Sequence, residues 1–218
     1  MDVRLEPWSD AALELLRRIN TPQMRRHVGG PEPEEGLLAR HRRYLAMPAT
    51  GRGCMFAILL GEDMVGSISY HQRDWRGEQI YETGWNVLPP YQGRGVASAA
   101  GTALIAIVRE LARQSGAPRS LHAFPSVDNG PSNALCHRLG FTHRGPCDFE
   151  YPPGSGSLMR SNDWCLGLAN SAQPAVAPPS DTTRLLTAGP GPRLVAHPAR
   201  ASRGRRAADV PRTGNGSP

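Results

Sequence analysis

A long amphipathic helix behind a glycine-containing turn constrains the fold of this chain more than any other feature. The turn holds Gly93 and Gly95, and a stretch with the residue pattern of a β-strand, 78–88, precedes it. The helix is predicted over 96–113, where apolar residues recur at the three- and four-residue spacing of a single face. Such a face predicts that the helix packs on a hydrophobic core, and it consists of Val96, Ala99, Ala100, Ala103, Leu104, Ile107, Val108 and Leu111.

Further strands and helices surround this unit on both sides. Alternating apolar residues and turn signals predict six more strands, at 3–8, 54–60, 64–71, 120–127, 141–151 and 158–166. Helices are predicted at 10–19, 34–47 and 129–139, with a loop at 21–33. The resulting order of elements predicts an α/β fold in which a mixed sheet carries helices on both faces.

The composition changes near residue 170. From Asn170 to the end there is no aromatic residue, and eight of the 21 prolines fall there. A segment so poor in bulky apolar side chains cannot offset the conformational entropy lost on ordering. The sequence therefore predicts one domain over 1–168 and a disordered tail over 169–218. The tail holds seven of the 25 basic residues and two of the 19 acidic ones. These charges allow nonspecific attraction to nucleic acid or anionic lipid, but the favoured interpretation is a solvated tail with no specific nucleic-acid partner.

Several classes of chemistry are excluded by residue types. The chain contains no lysine, so it cannot use a Schiff-base lysine or a phosphate-loop lysine. Its four cysteines form no C-x-x-C pair and no zinc-like grouping with histidine, which predicts reduced thiols and no metal. The longest apolar run, Cys54 to Leu60, is too short to span a bilayer, and the N-terminus lacks an apolar signal core. We therefore expect a cytoplasmic protein with no membrane partner.

The turn before the long helix has the chemistry of an anion site. Free backbone N–H groups in the first helical turn and the positive end of the helix dipole attract phosphate. Gly93 and Gly95 lack a Cβ and allow close backbone approach, while Arg94 adds a positive charge. The turn does not match the dinucleotide-binding motif G-x-G-x-x-G/A, because Ser98 occupies the position of the last Gly or Ala. That motif also requires an acidic residue about 20 residues later, where this chain has Arg113. The turn therefore predicts a pyrophosphate site of another kind.

At these residues the chain resembles the GNAT superfamily of acyl-CoA-dependent N-acyltransferases. The run Gln92-Gly93-Arg94-Gly95-Val96-Ala97 fits the family signature Q/R-x-x-G-x-G/A. Asn129 and Ser132, with Leu139-Gly140-Phe141, are similar to the N-x-x-S helix and its L-G-F ending. Within the superfamily, 82–87 and 148–151 are similar to strands of ribosomal-protein alanine acetyltransferases.

The resemblance implies a seven-stranded sheet splayed open between its fourth and fifth strands, with acetyl-CoA in the gap. The pantetheine would pair with the backbone of Val87 and Leu88, and Asn129 and Ser132 would reach the thioester. The cofactor's pyrophosphate would be bound by the amides of Gln92, Gly93, Arg94, Gly95, Val96 and Ala97.

The implied reaction is direct acetyl transfer to a primary amine within a ternary complex, by a monomer or homodimer. Glu150 and Glu82 are the candidate bases, and backbone N–H groups at the end of the Val87 strand are candidates for stabilising the oxyanion. The tyrosine that many relatives use as general acid is replaced by Cys136, which leaves Ser132 or water for that role.

The sequence leaves the acceptor open between a protein N-terminus and a small molecule. One alternative is therefore a drug- or metabolite-modifying N-acetyltransferase. Another is a catalytically silent CoA-binding module. The loop that holds Met24 and His27 is predicted to contribute to acceptor specificity, because in the family that it resembles this region covers the acceptor site.

Overall fold

A computed structural model describes residues 2–115, 118–151 and 156–168 of the chain. The predicted tail at 169–218 lies outside the described residues, so the domain boundary and the tail remain predictions. The described part is built on one seven-stranded sheet. Its strands are β1 (Val3–Pro7), β2 (Gly53–Leu60), β3 (Asp63–Trp75), β4 (Glu78–Val87), β5 (Ser120–Ala123), β6 (Thr142–Glu150) and β7 (Leu158–Gly167).

The strands run in the spatial order β1, β2, β3, β4, β5, β7, β6. Neighbouring strands are antiparallel except β4 and β5, which are parallel. The parallel pair is necessary because the connection from β4 to β5 passes through a long helix, as crossovers between parallel strands do. The predicted mixed α/β sheet is confirmed, with seven strands.

Within the described residues, five α-helices pack on the sheet: α1 (Leu13–Ile19), α2 (Pro22–Arg25), α3 (Glu34–Ala46), α4 (Val96–Ser115) and α5 (Gly130–Arg138). Strand β2 shows how both faces are covered. Its residues Met55 and Ala57 pack in a cluster with α1 and α3, while Phe56 and Ile58 pack in another with α4. Alternate residues of a strand point to opposite faces, so helices cover both sides of the sheet, as predicted.

The buried face of helix α4 overlaps the apolar face that its sequence predicts. Val96, Ala100, Leu104 and Val108 are buried, whereas Gly101 and Ile105, which fall outside the predicted stripe, are buried too. Gly101 is buried because α5 crosses closely at this point: a Cβ added there would lie 2.5 Å from Leu139 Cδ1. The absence of a side chain at this position brings the end of α5 next to the start of α4.

Some local predictions were wrong in extent. The stretch 21–33, predicted as a loop, contains α2, because Thr21 caps the helix by accepting the Met24 N–H at 3.3 Å and Pro22 suits its first turn. The strand predicted at 120–127 ends at Ala123. Pro125 lacks the N–H that continued pairing would require. No helix in the described residues is both long and apolar enough to cross a membrane.

Candidate active site

The sheet opens between β4 and β5. The two strands pair only from Tyr81 to Thr83 on the β4 side, and β4 then continues to Val87 alone on that side. In an antiparallel ladder successive residues direct their backbone groups to opposite sides. Leu88 donates its N–H to the Val65 carbonyl at 2.8 Å, towards β3. The backbone groups of Val87 and Trp85 therefore face the gap.

A cleft of about 780 Å³ occupies this opening, and we call it the α4 cleft. It runs from the end of β4, past the first turn of α4, to the first turn of α5. The residues that line it are Gln23, Met24, Arg26, His27, Trp85, Asn86, Val87, Tyr91, Gln92, Gly93, Gly95, Val96, Ala97, Ser98, Asn129, Pro131, Ser132, Ala134, Leu135 and Arg138.

The turn before α4 has the backbone shape of an anion site. Gly93 and Gly95 have φ angles of 70° and 83°, which L-residues with side chains rarely adopt. A Cβ on either glycine would meet no atom within 4 Å. Gln92 donates its side-chain Nε2–H to the Val87 carbonyl at 2.7 Å and so ties the turn to the end of β4. The free amides of this 20-residue helix therefore face the α4 cleft.

Two predicted cofactor contacts do not line the α4 cleft. Leu88 is buried in the core beside α1 and α3, and its N–H is already bonded to Val65, so it offers no free N–H to a ligand. Arg94 is exposed and its guanidinium lies 5.8 Å from the centre of the Tyr91 ring. The other predicted cofactor residues all line this cleft: Val87, Gln92, Gly93, Gly95, Val96, Ala97, Asn129 and Ser132.

Arg138 is a cation of the α4 cleft that the sequence analysis missed. It stands in the last turn of α5 and its Nη1 donates to Ser98 Oγ at 3.3 Å, across to the first turn of α4. This places a positive charge beside the α4 amides, where Arg94 was expected. The sequence indicates only that Arg138 comes one residue before the motif Leu139-Gly140-Phe141. The contact between α4 and α5 is needed to show which cleft Arg138 lines.

A second cleft of about 470 Å³ lies on the side of the sheet where α3 packs, and we call it the α3 cleft. Its lining comprises Arg25, His27, Val28, Glu32, Arg40, Arg43, Tyr44, Met47, Met55, Ser67, Ser69, His71, Glu82, Thr83, Gly84, Trp85, Asn86, Ala123, Phe124, Pro125, Ser126, Asn129, Ser132, Phe149, Tyr151 and Met159. Both clefts are lined by His27, Trp85, Asn86, Asn129 and Ser132.

The shared residues are held by the first turn of α5 and by the loop after α2. Asn129 caps α5 by accepting the Ser132 N–H at 3.3 Å, which positions Ser132 where the clefts meet. His27, in the loop predicted to contribute to acceptor specificity, lies at the same junction. Burial, together with the charge of Arg26, lowers the pKa of His27, so its imidazole is neutral near pH 7.

Glu82 is the candidate base that the structure places in the α3 cleft. Its Oε2 lies 2.9 Å from Arg73 Nη1 and 3.3 Å from His71 Nε2. Burial raises the pKa of the Glu82 carboxyl, but the hydrogen bonds and charges of His71 and Arg73 outweigh burial and hold the pKa below its ordinary value. Glu82 is therefore a carboxylate whose partner His71 also lines the cleft.

His71 is a second residue that sequence reasoning missed. It pairs directly with Glu82 in the antiparallel ladder of β3 and β4, which puts the two side chains on one face of the sheet. The pairing of His71 with Glu82 could have been predicted from the register of the β3–β4 hairpin. It was missed because β3 was predicted to end at His71, whereas the strand continues to Trp75.

The structure does not bring Glu150 to either cleft. Its neighbours Phe149 and Tyr151 line the α3 cleft, and alternation along β6 directs Glu150 to the other face. There its Oε1 accepts the Gly156 N–H at 2.8 Å. Glu150 therefore faces away from both clefts.

Cys136 is likewise outside both clefts. It is fully buried against Tyr81, Val108 and Phe141, and burial raises the pKa of its thiol to about 12. A thiol in such surroundings packs as a small apolar side chain. Of the candidates for the general acid, Ser132 is the side chain that the structure places at the junction of the clefts.

A buried ion pair supports the aromatic wall of the α3 cleft. His122 Nδ1 lies 2.7 Å from Asp163 Oδ1, and Trp75 Nε1 donates to Asp163 Oδ2 at 3.0 Å. Phe124 stacks on His122 and on Phe149, with ring centres 5.8 and 4.3 Å apart. The ion pair therefore holds two aromatic rings that line the cleft.

This ion pair predicts a pH-dependent contribution to stability. Burial opposes the charged imidazole, but hydrogen bonds to Asp163 and Cys165 and their charges outweigh it and raise the pKa of His122 to about 9. Because this pKa lies above the ordinary value of about 6.5, the stabilisation is full below pH 6.5 and is lost as the pH rises through 9. The melting-temperature difference between wild type and His122→Gln should therefore shrink between pH 6.5 and 9.5. A difference that stays constant over this range would contradict the assignment.

Comparisons with known proteins agree with this geometry. The family model described as "Acetyltransferase (GNAT) domain" matches residues 2–142. A search of curated proteins found no match. Solved structures with the same fold include the ribosomal L7/L12 α-N-protein acetyltransferase RimL in complex with coenzyme A, at 19% identity and a TM-score of 0.61, covering 76% of this chain and 93% of that one.

Two other structures of this fold are of acetyltransferases named for different amines. An aminoglycoside acetyltransferase, AAC(6')-Ib, in complex with coenzyme A has 16% identity and a TM-score of 0.58, covering 76% of this chain and 95% of that one. Spermidine N-acetyltransferase from Vibrio cholerae, with CoA and spermine, has 14% identity and a TM-score of 0.60 at the same coverage, 76% and 95%. The match of the family model over most of the described residues confirms the resemblance predicted from the glycine turn and the α5 motif. The chain belongs to the acetyltransferase (GNAT) domain family.

Proposed function

We propose that this chain transfers the acetyl group of acetyl-CoA to a primary amine, with both substrates bound at once. The observation that carries the proposal is the meeting of the two clefts at Trp85, Asn86, Asn129 and Ser132. A cofactor in the α4 cleft and an amine in the α3 cleft would approach each other there from opposite sides. Such an arrangement suits direct transfer, since the reacting atoms are brought together without a covalent acyl-enzyme.

In this proposal the α4 cleft binds acetyl-CoA. The amides from Gly93 to Ala97 and the guanidinium of Arg138 bind the diphosphate, because both present positive charge to the same part of the cleft. The pantetheine pairs with the backbone of Trp85 and Val87, which faces the gap, rather than with Leu88. The thioester then lies at the junction of the clefts, which Trp85 lines, so the Trp85 N–H is available to the oxyanion.

His71 and Glu82 are proposed to take up the proton of the amine. The acceptor must be neutral to attack the thioester carbon, and it loses a proton as the new C–N bond forms. His71 accepts that proton directly or through a water, and Glu82, at 3.3 Å, orients the imidazole and balances its charge. As the C–S bond breaks, the electron pair stays on sulfur, and the hydroxyl of Ser132 or a water molecule supplies the proton.

Measuring thiol release tests the proposal. The full chain is mixed with acetyl-CoA and amines of three kinds: short peptides with free N-termini, small amino compounds and polyamines. Appearance of free CoA together with an equal amount of acetylated amine supports acetyl transfer. Absence of CoA release before amine is added supports the direct route, because a covalent acyl-enzyme would release CoA without amine. If acetyl-CoA binds saturably but no amine is acetylated, the chain is a CoA-binding module and the proposed reaction is rejected.

A further inference from the structure

The α3 cleft carries an excess of positive charge. Arg25 comes from α2, and Arg40 and Arg43 come from α3, and all three line the cleft; we call them the arginine wall. The side chains of Arg25 and Arg40 are only 5% and 8% exposed. Buried guanidinium groups are rare unless they are paired, so the charges that accompany them determine what the cleft can bind.

The carboxylates of the cleft are already paired. Among the described residues that line it, Glu32 and Glu82 are the acidic ones. Glu32 Oε1 lies 3.0 Å from Arg25 Nη2 and also contacts Arg40 Nη2, so one carboxylate serves two guanidinium groups. Glu82 is paired with Arg73 at 2.9 Å and with His71. No unpaired carboxylate in this lining remains for a second cationic group of an acceptor.

Arg40 is the less compensated of the two buried arginines in the wall. It shares Glu32 with Arg25, whereas Arg25 also donates to the carbonyls of Gly30 and Val28, at 2.6 and 3.3 Å. Burial lowers the pKa of the Arg40 guanidinium, which reflects the cost of keeping this charge away from water. An anion bound beside Arg40 would offset that cost.

The opposite part of the cleft suits an apolar or aromatic group. Phe124 and Phe149 stack with ring centres 4.3 Å apart, and Tyr151, Met55 and Met159 line the same cleft. Rings and thioethers of this kind contact uncharged parts of a ligand. They supply no charge, so electrostatic selection depends on the arginine wall.

We propose that the acceptor carries a carboxylate or phosphate besides its primary amine, and that this anion binds the arginine wall. The inference rests on the proposed acetyl transfer and narrows its acceptor class. Guanidinium groups bind carboxylate and phosphate through paired N–H donors, so both anions satisfy the same wall. Polycationic acceptors, such as polyamines and aminoglycosides, are disfavoured because like charges repel and no free carboxylate of the lining receives them.

The test compares acceptors that differ only in the charge of the remote group. One series is small: β-alanine, its amide and 1,3-diaminopropane. The other consists of tripeptide amides with the same N-terminus that end in aspartate, asparagine or arginine. We expect kcat/KM for the anionic member of at least one series to exceed that of its neutral partner by about tenfold, the usual gain from a charged hydrogen bond. The series that responds shows whether the anion belongs to a small molecule or to a peptide.

Variants of the wall connect this preference to its residues. Arg40→Met keeps an unbranched side chain without the guanidinium and leaves Glu32 paired with Arg25. Arg43→Met removes an exposed charge. Each should lower the anionic-to-neutral ratio of kcat/KM from about tenfold towards one. Arg42→Met is the matched control, because Arg42 lies on the same helix but does not line the cleft, and it should keep the wild-type ratio.

The outcomes separate this inference from the proposed function. If neutral or cationic amines are acetylated as efficiently as anionic ones, acetyl transfer stands and the arginine wall is rejected as a specificity site. If the preference exists but survives in both Arg40→Met and Arg43→Met, the anion binds elsewhere and the inference is also rejected. If no amine in either series is acetylated, both proposals fail together.

Discussion

Replacing Gly95 by valine should reduce the affinity for acetyl-CoA about a hundredfold or more. Gly95 has a φ of 83° and lines the α4 cleft, where an added Cβ meets no protein atom and therefore extends into the space that the diphosphate would occupy. Loss of two charge-assisted hydrogen bonds costs about 3 kcal/mol, which corresponds to roughly a hundredfold in affinity. Isothermal titration calorimetry with acetyl-CoA measures the change.

Gly77→Val separates lost binding from backbone strain. Gly77 also has a φ of 83° and open surroundings, but it lies in the turn between β3 and β4 and lines neither cleft. Both variants should lose a similar amount of thermal stability, since valine is strained at such angles. Only Gly95→Val should lose affinity. Wild-type affinity in folded Gly95→Val would remove the assignment of the diphosphate to this turn.

Replacing Glu82 by glutamine should lower kcat about a hundredfold, whereas Glu150→Gln should leave it near the wild-type value. The expected loss is within the range for general base catalysis. Glu82 contacts His71 in the α3 cleft, while Glu150 faces the other side of β6 and bonds Gly156. The two carboxylates therefore form a matched pair of variants, one inside the cleft and one outside it.

The pH–rate profile and a double variant identify the role of Glu82. If Glu82 acts through His71, Glu82→Gln should move the acidic limb of the profile, which a merely structural change would leave in place. The variant that combines Glu82→Gln with His71→Asn should then be little worse than either single variant, because residues acting as a unit are not additive. If the losses in kcat of the two single variants multiply in the double variant and the pH–rate profile is unchanged, Glu82 does not act through His71.

The cofactor half of the candidate site was largely predictable from the sequence. The turn from Gln92 to Ala97 joins a strand to a helix, so its local pattern already contains the geometry of an anion site. All but two of the predicted cofactor contacts line the α4 cleft, and the exceptions have physical reasons. Backbone N–H groups alternate in direction along β4, and that of Leu88 points to β3. Arg94 lies on the outer side of its turn, beside Tyr91.

The acceptor half was less predictable because long-range pairing creates it. His71 and Glu82 meet through the register of β3 and β4, and Arg138 reaches the α4 turn only because α5 packs over Gly101. Likewise, Phe149 and Glu150 are adjacent in sequence but lie on opposite faces of β6. A shift of one residue along a strand moves a side chain to the other face of the sheet and so decides whether it enters the site. The β-propensities of the residues do not determine which face each one takes.

The most direct test of the proposed diphosphate site is a calorimetric titration of the wild-type chain with acetyl-CoA and, separately, with S-acetylpantetheine, which lacks the diphosphate and the nucleotide. We expect saturable binding of acetyl-CoA with a rise in melting temperature, and an affinity for S-acetylpantetheine lower by about a hundredfold or more. Equal affinity for the two compounds, or no binding of acetyl-CoA by the folded protein, would contradict the proposed site.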